Sequence, residues 1–160
     1  MGEIEDFQGR VVAVRRGYVS LPHEGWGQPG PADERTGERW DRGNVLGHVA
    51  EMLPFWIVQL RAVVDGGTEM GRDAIGLAQR RMGIDSGREA GEDGLLARID
   101  QGAARLEALL ADMRDADLDR RVRFRGADGP ERDVDVRWVM ENILIGHLEE
   151  HLEQVRAVEG

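Results

Sequence analysis

Three histidines in this chain have the residue type and spacing of metal ligands. His147 and His151 are four residues apart in the segment Gly-His-Leu-Glu-Glu-His. If this segment is helical, both imidazoles lie on one face, about one turn and 5–6 Å apart. Two rings placed in this way can bind one ion at Zn–N distances of about 2.0–2.1 Å. His48 falls on the apolar stripe of another predicted helix, and three imidazoles leave a fourth position open, as in catalytic metal sites.

The alternative is that the three histidines are core residues that bind no metal. A single His-x3-His spacing is weak support for a metal site, because a buried imidazole usually makes hydrogen bonds to other protein groups. However, burying an imidazole without a partner costs free energy, and one shared ion would satisfy all three side chains. The periodicity by itself leaves both interpretations open.

Two glutamates are placed to assist a metal site. Glu51 lies one turn after His48. Glu150 directly precedes His151. Either carboxylate could orient a liganding imidazole through a hydrogen bond or act as a general base, and we take Glu51 as the candidate catalytic residue. The alternative is that both are solvated carboxylates on helix surfaces.

Other polar residues allow a functional and a structural interpretation. Asn44 and Gln154 could face the histidines, or they could be ordinary polar residues of helices. His23 lies in a loop rich in proline and glycine, where it is either an exposed histidine or a residue that closes over the site. Three arginines could bind an anionic substrate, although solvated ion pairs are common in an arginine-rich chain. These are Arg72, Arg80 and Arg81.

Four segments with helical periodicity must position these residues. Apolar residues recur at steps of three and four over residues 3–19, 41–65, 93–114 and 134–158. This spacing predicts four amphipathic helices, and little of the chain has the pattern of a strand. The sequence therefore predicts an all-α fold, a four-helix bundle with long crossover loops, formed by a single domain over residues 1–160.

Individual residues refine the predicted helices. Pro54 predicts a kink in the second helix, because proline cannot donate a hydrogen bond to its own turn. The predicted buried face of the fourth helix includes Ile143. Trp40 and Trp138 stand near helix starts, and their large apolar surfaces are expected to pin the helix ends.

The connecting segments are long. Residues 20–39 are rich in proline and glycine, which predicts a loop long enough to cover a site. Residues 66–92 are glycine-rich and weakly patterned, with a short helix over 74–82. Alternation over residues 122–124 predicts a short extended piece.

Composition and charge disfavour several classes of partner. The chain has 31 acidic and 21 basic residues and a net charge of −10. Nucleic acids and anionic membrane surfaces are therefore not expected partners, since both attract basic proteins. The absence of cysteine excludes disulfides and a thiol nucleophile from the chain itself. No secretory signal or apolar run of membrane-spanning length is evident, so the expected location is the cytoplasm.

Three motifs resemble those of one known family. The segment from Trp40 to His48 resembles the Trp-x7-His start of the second helix in the DinB-like/YfiT-like metal-binding bundle family. The His-x3-His-x2-Gln spacing from His147 to Gln154 resembles the last helix of that family. Gly71-Arg72 resembles a Gly-Arg of the branch that includes mycothiol-dependent maleylpyruvate isomerases. That branch often has glutamate where His147 stands, so this chain is closer to the three-histidine type.

The resemblance implies a metal-dependent function. It implies that His48, His147 and His151 bind a divalent metal ion, with zinc as the first choice and nickel as the alternative. It further implies a transferase or isomerase that acts on a small electrophile and uses a low-molecular-weight thiol such as mycothiol. Because the chain has no cysteine, that thiol would have to come from a cofactor.

Two rival functions remain at this point. The chain could be a metal-binding, stress-associated bundle without catalysis, and in either case a homodimer is expected. It could also be a metal-free bundle with buried histidines. A pocket beside the metal that is deep enough for a small-molecule substrate would favour the enzyme.

Overall fold

The computed structural model describes residues 2–22, 29–32, 34, 37–127 and 129–158. Its helices are α1 (Glu3–Val19), α2 (Arg42–Val64), α3 (Ala74–Ser86), α4 (Gly91–Asp112), α5 (Val136–Val139) and α6 (Ile145–Val158). Its strands are β1 (Pro29–Ala32), β2 (Arg39–Asp41), β3 (Glu69–Gly71), β4 (Arg121–Arg125) and β5 (Arg132–Asp135). Two 3-10 segments lie at Gly87–Ala90 and Asp115–Asp119, and a π-helical segment, Met140–Leu144, joins α5 to α6.

A bundle of α1, α2, α4 and the C-terminal helix encloses the core. α2 packs against α4 and α6, and α1 packs against α4 and α6 from the other side. The predicted all-α four-helix bundle is confirmed. The hydroxyl of Tyr18 on α1 donates a hydrogen bond of 2.8 Å to the carbonyl of Leu148, which fixes α6 against α1. Among the described residues, no helix has both the length and the apolar character needed to cross a bilayer.

The start of α2 is set by a capping box. The carboxylate of Asp41 accepts a hydrogen bond of 2.9 Å from the backbone N–H of Asn44, and the Asn44 side chain accepts one of 3.0 Å from the backbone N–H of Asp41. The fully buried Arg42 forms an ion pair of 2.7 Å with Glu92 and also donates to the carbonyl of Pro22. The capping box satisfies the backbone N–H groups of Asp41 and Asn44 and so defines where α2, the helix of His48, begins.

Two small sheets lie where long loops were predicted. β1 lies within the predicted loop over residues 20–39 and pairs in antiparallel orientation with β2, which begins at the last residue of that loop. β3 is parallel to β4, and β4 is antiparallel to β5. The alternation predicted over residues 122–124 is confirmed, since Val122 and Phe124 are buried while the arginines of β4 are exposed.

The glycine-rich stretch after α2 contains a longer helix than predicted. α3 extends from Ala74 to Ser86, beyond the short helix expected over 74–82. A Cβ atom added at Gly83 would lie 2.7 Å from Cβ of Glu51, and one added at Gly87 would lie 2.8 Å from Cα of Gly47. α3 and the segment after it therefore approach α2 closely at glycines. Because this contact does not use apolar side chains, it produces no apolar stripe in the sequence.

The C-terminal helix contains a π turn that the sequence did not predict. The N–H of Ile145 donates to the carbonyl of Met140, five residues earlier. This extra residue changes the phase of the helix, so that Ile145 is fully buried while Ile143, predicted to be buried, is only partly covered. α2 continues through Pro54, where the predicted kink stays a prediction.

Replacing Gly146 with alanine should disrupt this turn. The added Cβ would collide with the carbonyl oxygen of Glu141. We expect Gly146→Ala to lower the free energy of unfolding by about 1–3 kcal/mol, measured by urea denaturation.

Gly9→Ala is the matched control. Gly9 is an exposed residue inside α1, with no atom within 4 Å of an added Cβ. This substitution should stabilise the protein by about 0.5–1 kcal/mol, because alanine has the higher helix propensity. Equal stability of Gly146→Ala and the wild-type protein would contradict the predicted clash with the carbonyl oxygen of Glu141.

Candidate metal centre

The structure brings the three predicted histidines together. His48 on α2 and His147 on α6 have their Nε2 atoms 3.4 Å apart, and the Nε2 atoms of His147 and His151 are 2.8 Å apart. One ligand atom from each of the three lies within 4.8 Å of the others. Two nitrogens on one ion at about 2.0–2.1 Å lie roughly 3.0–3.5 Å apart. The 3.4 Å between His48 and His147 already fits a shared ion, and the 2.8 Å between His147 and His151 fits it after the two rings move slightly apart.

Hydrogen bonding fixes the tautomer of one histidine. Nδ1 of His151 donates to Oε1 of Gln154 at 2.8 Å, which leaves the lone pair of Nε2 directed at the other imidazoles. Nδ1 of His48 is buried and has no hydrogen-bond partner among the described residues. The carboxylate of Glu150 is 3.8 Å from Nδ1 of His147, too far for a hydrogen bond.

All three imidazoles are held in the neutral form that binds metals. Burial is the main cause that lowers the pKa of His48 well below its usual value, and His151, His147 and Arg80 add to the effect. Burial likewise lowers the pKa of His151 to about 4, against an opposing contribution from the Gln154 hydrogen bond. The pKa of His147 is also lowered, first by burial, although a third of its side chain is exposed. At neutral pH, a metal ion would not have to displace protons from these rings.

Trp40 covers one side of the histidine cluster. Its ring is stacked on His151 at a centroid distance of 6.3 Å and meets His48 edge-on at 5.4 Å. Its Nε1–H donates to a carboxylate oxygen of Glu38 at 3.1 Å. The sequence predicts that Trp40 pins the helix end, and it does not predict the contacts of Trp40 with two imidazoles. The Trp-x7-His spacing is the sequence signal that connects Trp40 with His48.

The histidine cluster adjoins a cavity of about 260 Å³. His48 and His147 form part of its lining. One wall is aromatic. The ring centroids of Trp56 and Phe124 are 5.3 Å apart, and those of Phe124 and Trp138 are 5.5 Å apart. The sequence did not indicate this wall, because Phe124 and Trp138 come from segments that only the β4–β5 hairpin brings near α2. A small molecule in this cavity would contact two of the three histidines.

Glu51, the candidate catalytic residue, lies in an ion pair beside the cavity. Its two carboxylate oxygens accept hydrogen bonds of 2.7 and 3.1 Å from the guanidinium of Arg72. Arg72 also donates to the carbonyl of Gly76 at 2.8 Å and packs on the ring of Phe55 at 4.0 Å. With 15% of its side chain exposed, Glu51 is not the solvated carboxylate of the alternative interpretation. Its catalytic role stays a prediction.

The remaining predicted residues are distributed around the site. Asn44 is structural, since it caps α2 and donates to the carbonyl of Ile84 at 2.7 Å. Arg80 lines the cavity together with Arg72, whereas Arg81 is exposed and pairs with Asp85 and Glu38. His23 lies outside the described residues.

Comparison with known proteins identifies one family. A model of the DinB superfamily matches residues 19–155. The match includes all three histidines of the cluster. No curated protein and no solved structure matches the chain.

The depressed pKa values predict a loss of stability in mild acid. In the unfolded chain His151 takes up a proton near pH 6.5, but in the folded metal-free protein it does so only near pH 4. The contribution of His151 to the free energy of unfolding should be fully present above about pH 6.5. It should fall between pH 6.5 and 4, by about 1.4 kcal/mol per pH unit. Urea denaturation at pH 7, 6 and 5, with a chelator present, measures the slope.

The variant His151→Leu should lose part of this pH dependence. It lacks one imidazole that is protonated only after unfolding, so its stability should change less steeply between pH 7 and pH 5. Identical slopes for the variant and the wild-type protein would contradict the pKa assignment.

Proposed function

The chain belongs to the DinB superfamily, and on that premise we propose that it is a metal-dependent enzyme that uses a low-molecular-weight thiol on a small electrophile. The reaction would be an S-transfer or a thiol-dependent isomerisation. The observation that carries the proposal is the cavity of about 260 Å³ that adjoins His48 and His147. A purely structural metal site would be sealed by side chains, whereas this cluster has an open side.

His48, His147 and His151 would hold the ion. Neutral imidazoles suit zinc, which we expect first, and also nickel. A divalent ion held there supplies a Lewis acid, which lowers the pKa of a thiol or water that reaches its open position. Gln154 orients the ring of His151, and Trp40 packs against His48 and His151.

The thiol must come from outside the chain, which has no cysteine. We expect a small cellular thiol of the mycothiol type. A cavity of about 260 Å³ has room for the reacting end of such a molecule and for a small acceptor. The aromatic wall of Trp56, Phe124 and Trp138 would exclude water and contact the apolar part of the acceptor. In this proposal Glu51 acts as a positioning residue, because its carboxylate holds Arg72 at the cavity.

Metal binding is the first test. Protein purified without an affinity tag should contain about one divalent ion per chain, measured by mass spectrometry of the metals. His48→Ala should weaken zinc binding by more than about 100-fold, because loss of even an outer hydrogen bond commonly lowers metal affinity about 10–100-fold. Equal metal content in the variant and the wild-type protein would remove the site as described.

Gln154→Leu tests the orientation of His151. The variant keeps all three ligands but lacks the acceptor for Nδ1–H, so zinc affinity should fall by about 10–100-fold while the fold is unchanged. The control is Gln101→Leu, at an exposed glutamine on α4, which should bind zinc like the wild-type protein. Titration calorimetry measures both, and equal affinities would contradict a role for the 2.8 Å hydrogen bond.

Turnover separates the enzyme from a non-catalytic metal-binding protein. Metal-loaded protein is incubated with mycothiol, bacillithiol or glutathione and a chloro-aromatic acceptor, and S-conjugates are quantified. We expect conjugation that stops when the metal is removed and is absent in His48→Ala. Full metal binding without turnover by any of the thiols would favour the stress-associated, non-catalytic alternative.

A further inference from the structure

The cavity has an unusual charge for an acidic protein. The chain carries 31 acidic and 21 basic residues, yet the described lining includes Arg72, Arg80 and Arg132 and no carboxylate. The positive potential reaches the histidines, because Arg80 lowers the pKa of all three and Arg72 that of His48 and His147. A positive, partly enclosed site favours a negatively charged ligand.

The three arginines have different roles. Arg72 is almost completely buried and is held by Glu51 and the carbonyl of Gly76, so it forms a fixed part of the wall. Arg132, at the start of β5, is exposed, and its guanidinium lies 5.6 Å from the ring centre of Trp138. Arg80 lies on α3, with its guanidinium 6.0 Å from the ring centre of Trp40.

Arg132 differs from its neighbours in the same hairpin. Arg121 forms an ion pair of 3.1 Å with Asp133, and Arg123 forms one of 3.4 Å with Glu131. Within the part of the chain that the structure describes, Arg132 forms no ion pair, and it contacts an aromatic ring at the cavity instead. Its guanidinium can therefore bind a ligand without first losing a carboxylate partner. A planar guanidinium matches a carboxylate through two parallel hydrogen bonds.

The size and the wall of the cavity define the rest of the ligand. At about 260 Å³ the cavity is smaller than the roughly 300–1,000 Å³ typical of pockets for drug-sized ligands, so it suits a small ligand. The continuous row of Trp56, Phe124 and Trp138 presents aromatic surface to a flat group. Rings in such contact favour offset stacking or edge-to-face packing.

We propose that the substrate bound in this cavity is a small aromatic carboxylate. Arg132 binds the carboxylate, Arg80 strengthens the positive potential, and the aromatic wall contacts the planar body. This inference deepens the proposed function and rests on it only in assigning the cavity to the substrate. Arg132 is then the residue that determines specificity for the anion.

Benzoate and its neutral analogue benzamide test the proposal. Both are titrated into the protein, and binding is followed by tryptophan fluorescence and by chemical-shift changes in NMR spectra. We expect benzoate to bind about tenfold more tightly than benzamide, and we expect Arg132→Gln to remove this preference while benzamide affinity stays unchanged. Arg121→Gln, at a paired arginine outside the cavity, is the matched control and should keep the preference.

The titration is run on metal-free and on zinc-loaded protein. A preference for benzoate in both forms supports binding by arginine. A preference that appears only with zinc would place the carboxylate on the metal and overturn the proposal, as would equal binding of the two ligands or an unchanged preference in Arg132→Gln. Because the metal-free result does not depend on metal or turnover, failure of the proposed enzyme function is distinguishable from failure of this inference.

Discussion

The structure depends on placing three imidazoles next to one another inside an apolar core. Protonated, they would repel each other and would lose their hydration, so burial keeps them neutral. One ring nitrogen of each lies within 4.8 Å of the others. The ring nitrogens of His48 and His147 come within 3.4 Å, which links α2 to α6 directly. A divalent ion bound to all three rings would offset the free-energy cost of burying them.

Each element near the cluster contributes to holding these rings in place. The capping box at Asp41 fixes the beginning of α2, and the hydroxyl of Tyr18 fixes α6 through the carbonyl of Leu148. Arg72 lies just before α3 and Arg80 lies within it, and the close contact between α2 and α3 holds both arginines at the cavity. The β4–β5 hairpin completes the cavity by adding Phe124 and Arg132. The small sheets are therefore part of the site although the fold is a helical bundle.

The bundle and the histidine cluster could be predicted from the sequence, because both produce a helical periodicity of residue types. The four apolar stripes repeat at helical spacing, and His147 and His151 are one turn apart on such a stripe. The full length of α3 could not be predicted, because α3 and the 3-10 segment after it meet α2 through Gly83 and Gly87 rather than through apolar side chains. The cavity wall could not be predicted either, since Phe124 and Trp138 meet only after the hairpin has formed. Glu51 was recognised as close to His48, but its bidentate partner Arg72 lies on a different segment.

The π turn at Met140–Leu144 gives the C-terminal helix one residue more than a continuous α-helix would need between the same two ends. The Asp135 cap fixes one end and the packed histidines fix the other. A related chain with one residue fewer in this stretch could form an uninterrupted α-helix and present the same pair of imidazoles at the same place. Spacing along the chain and position in space are therefore uncoupled here, and alignments of such proteins should allow a single-residue gap just before the histidine pair.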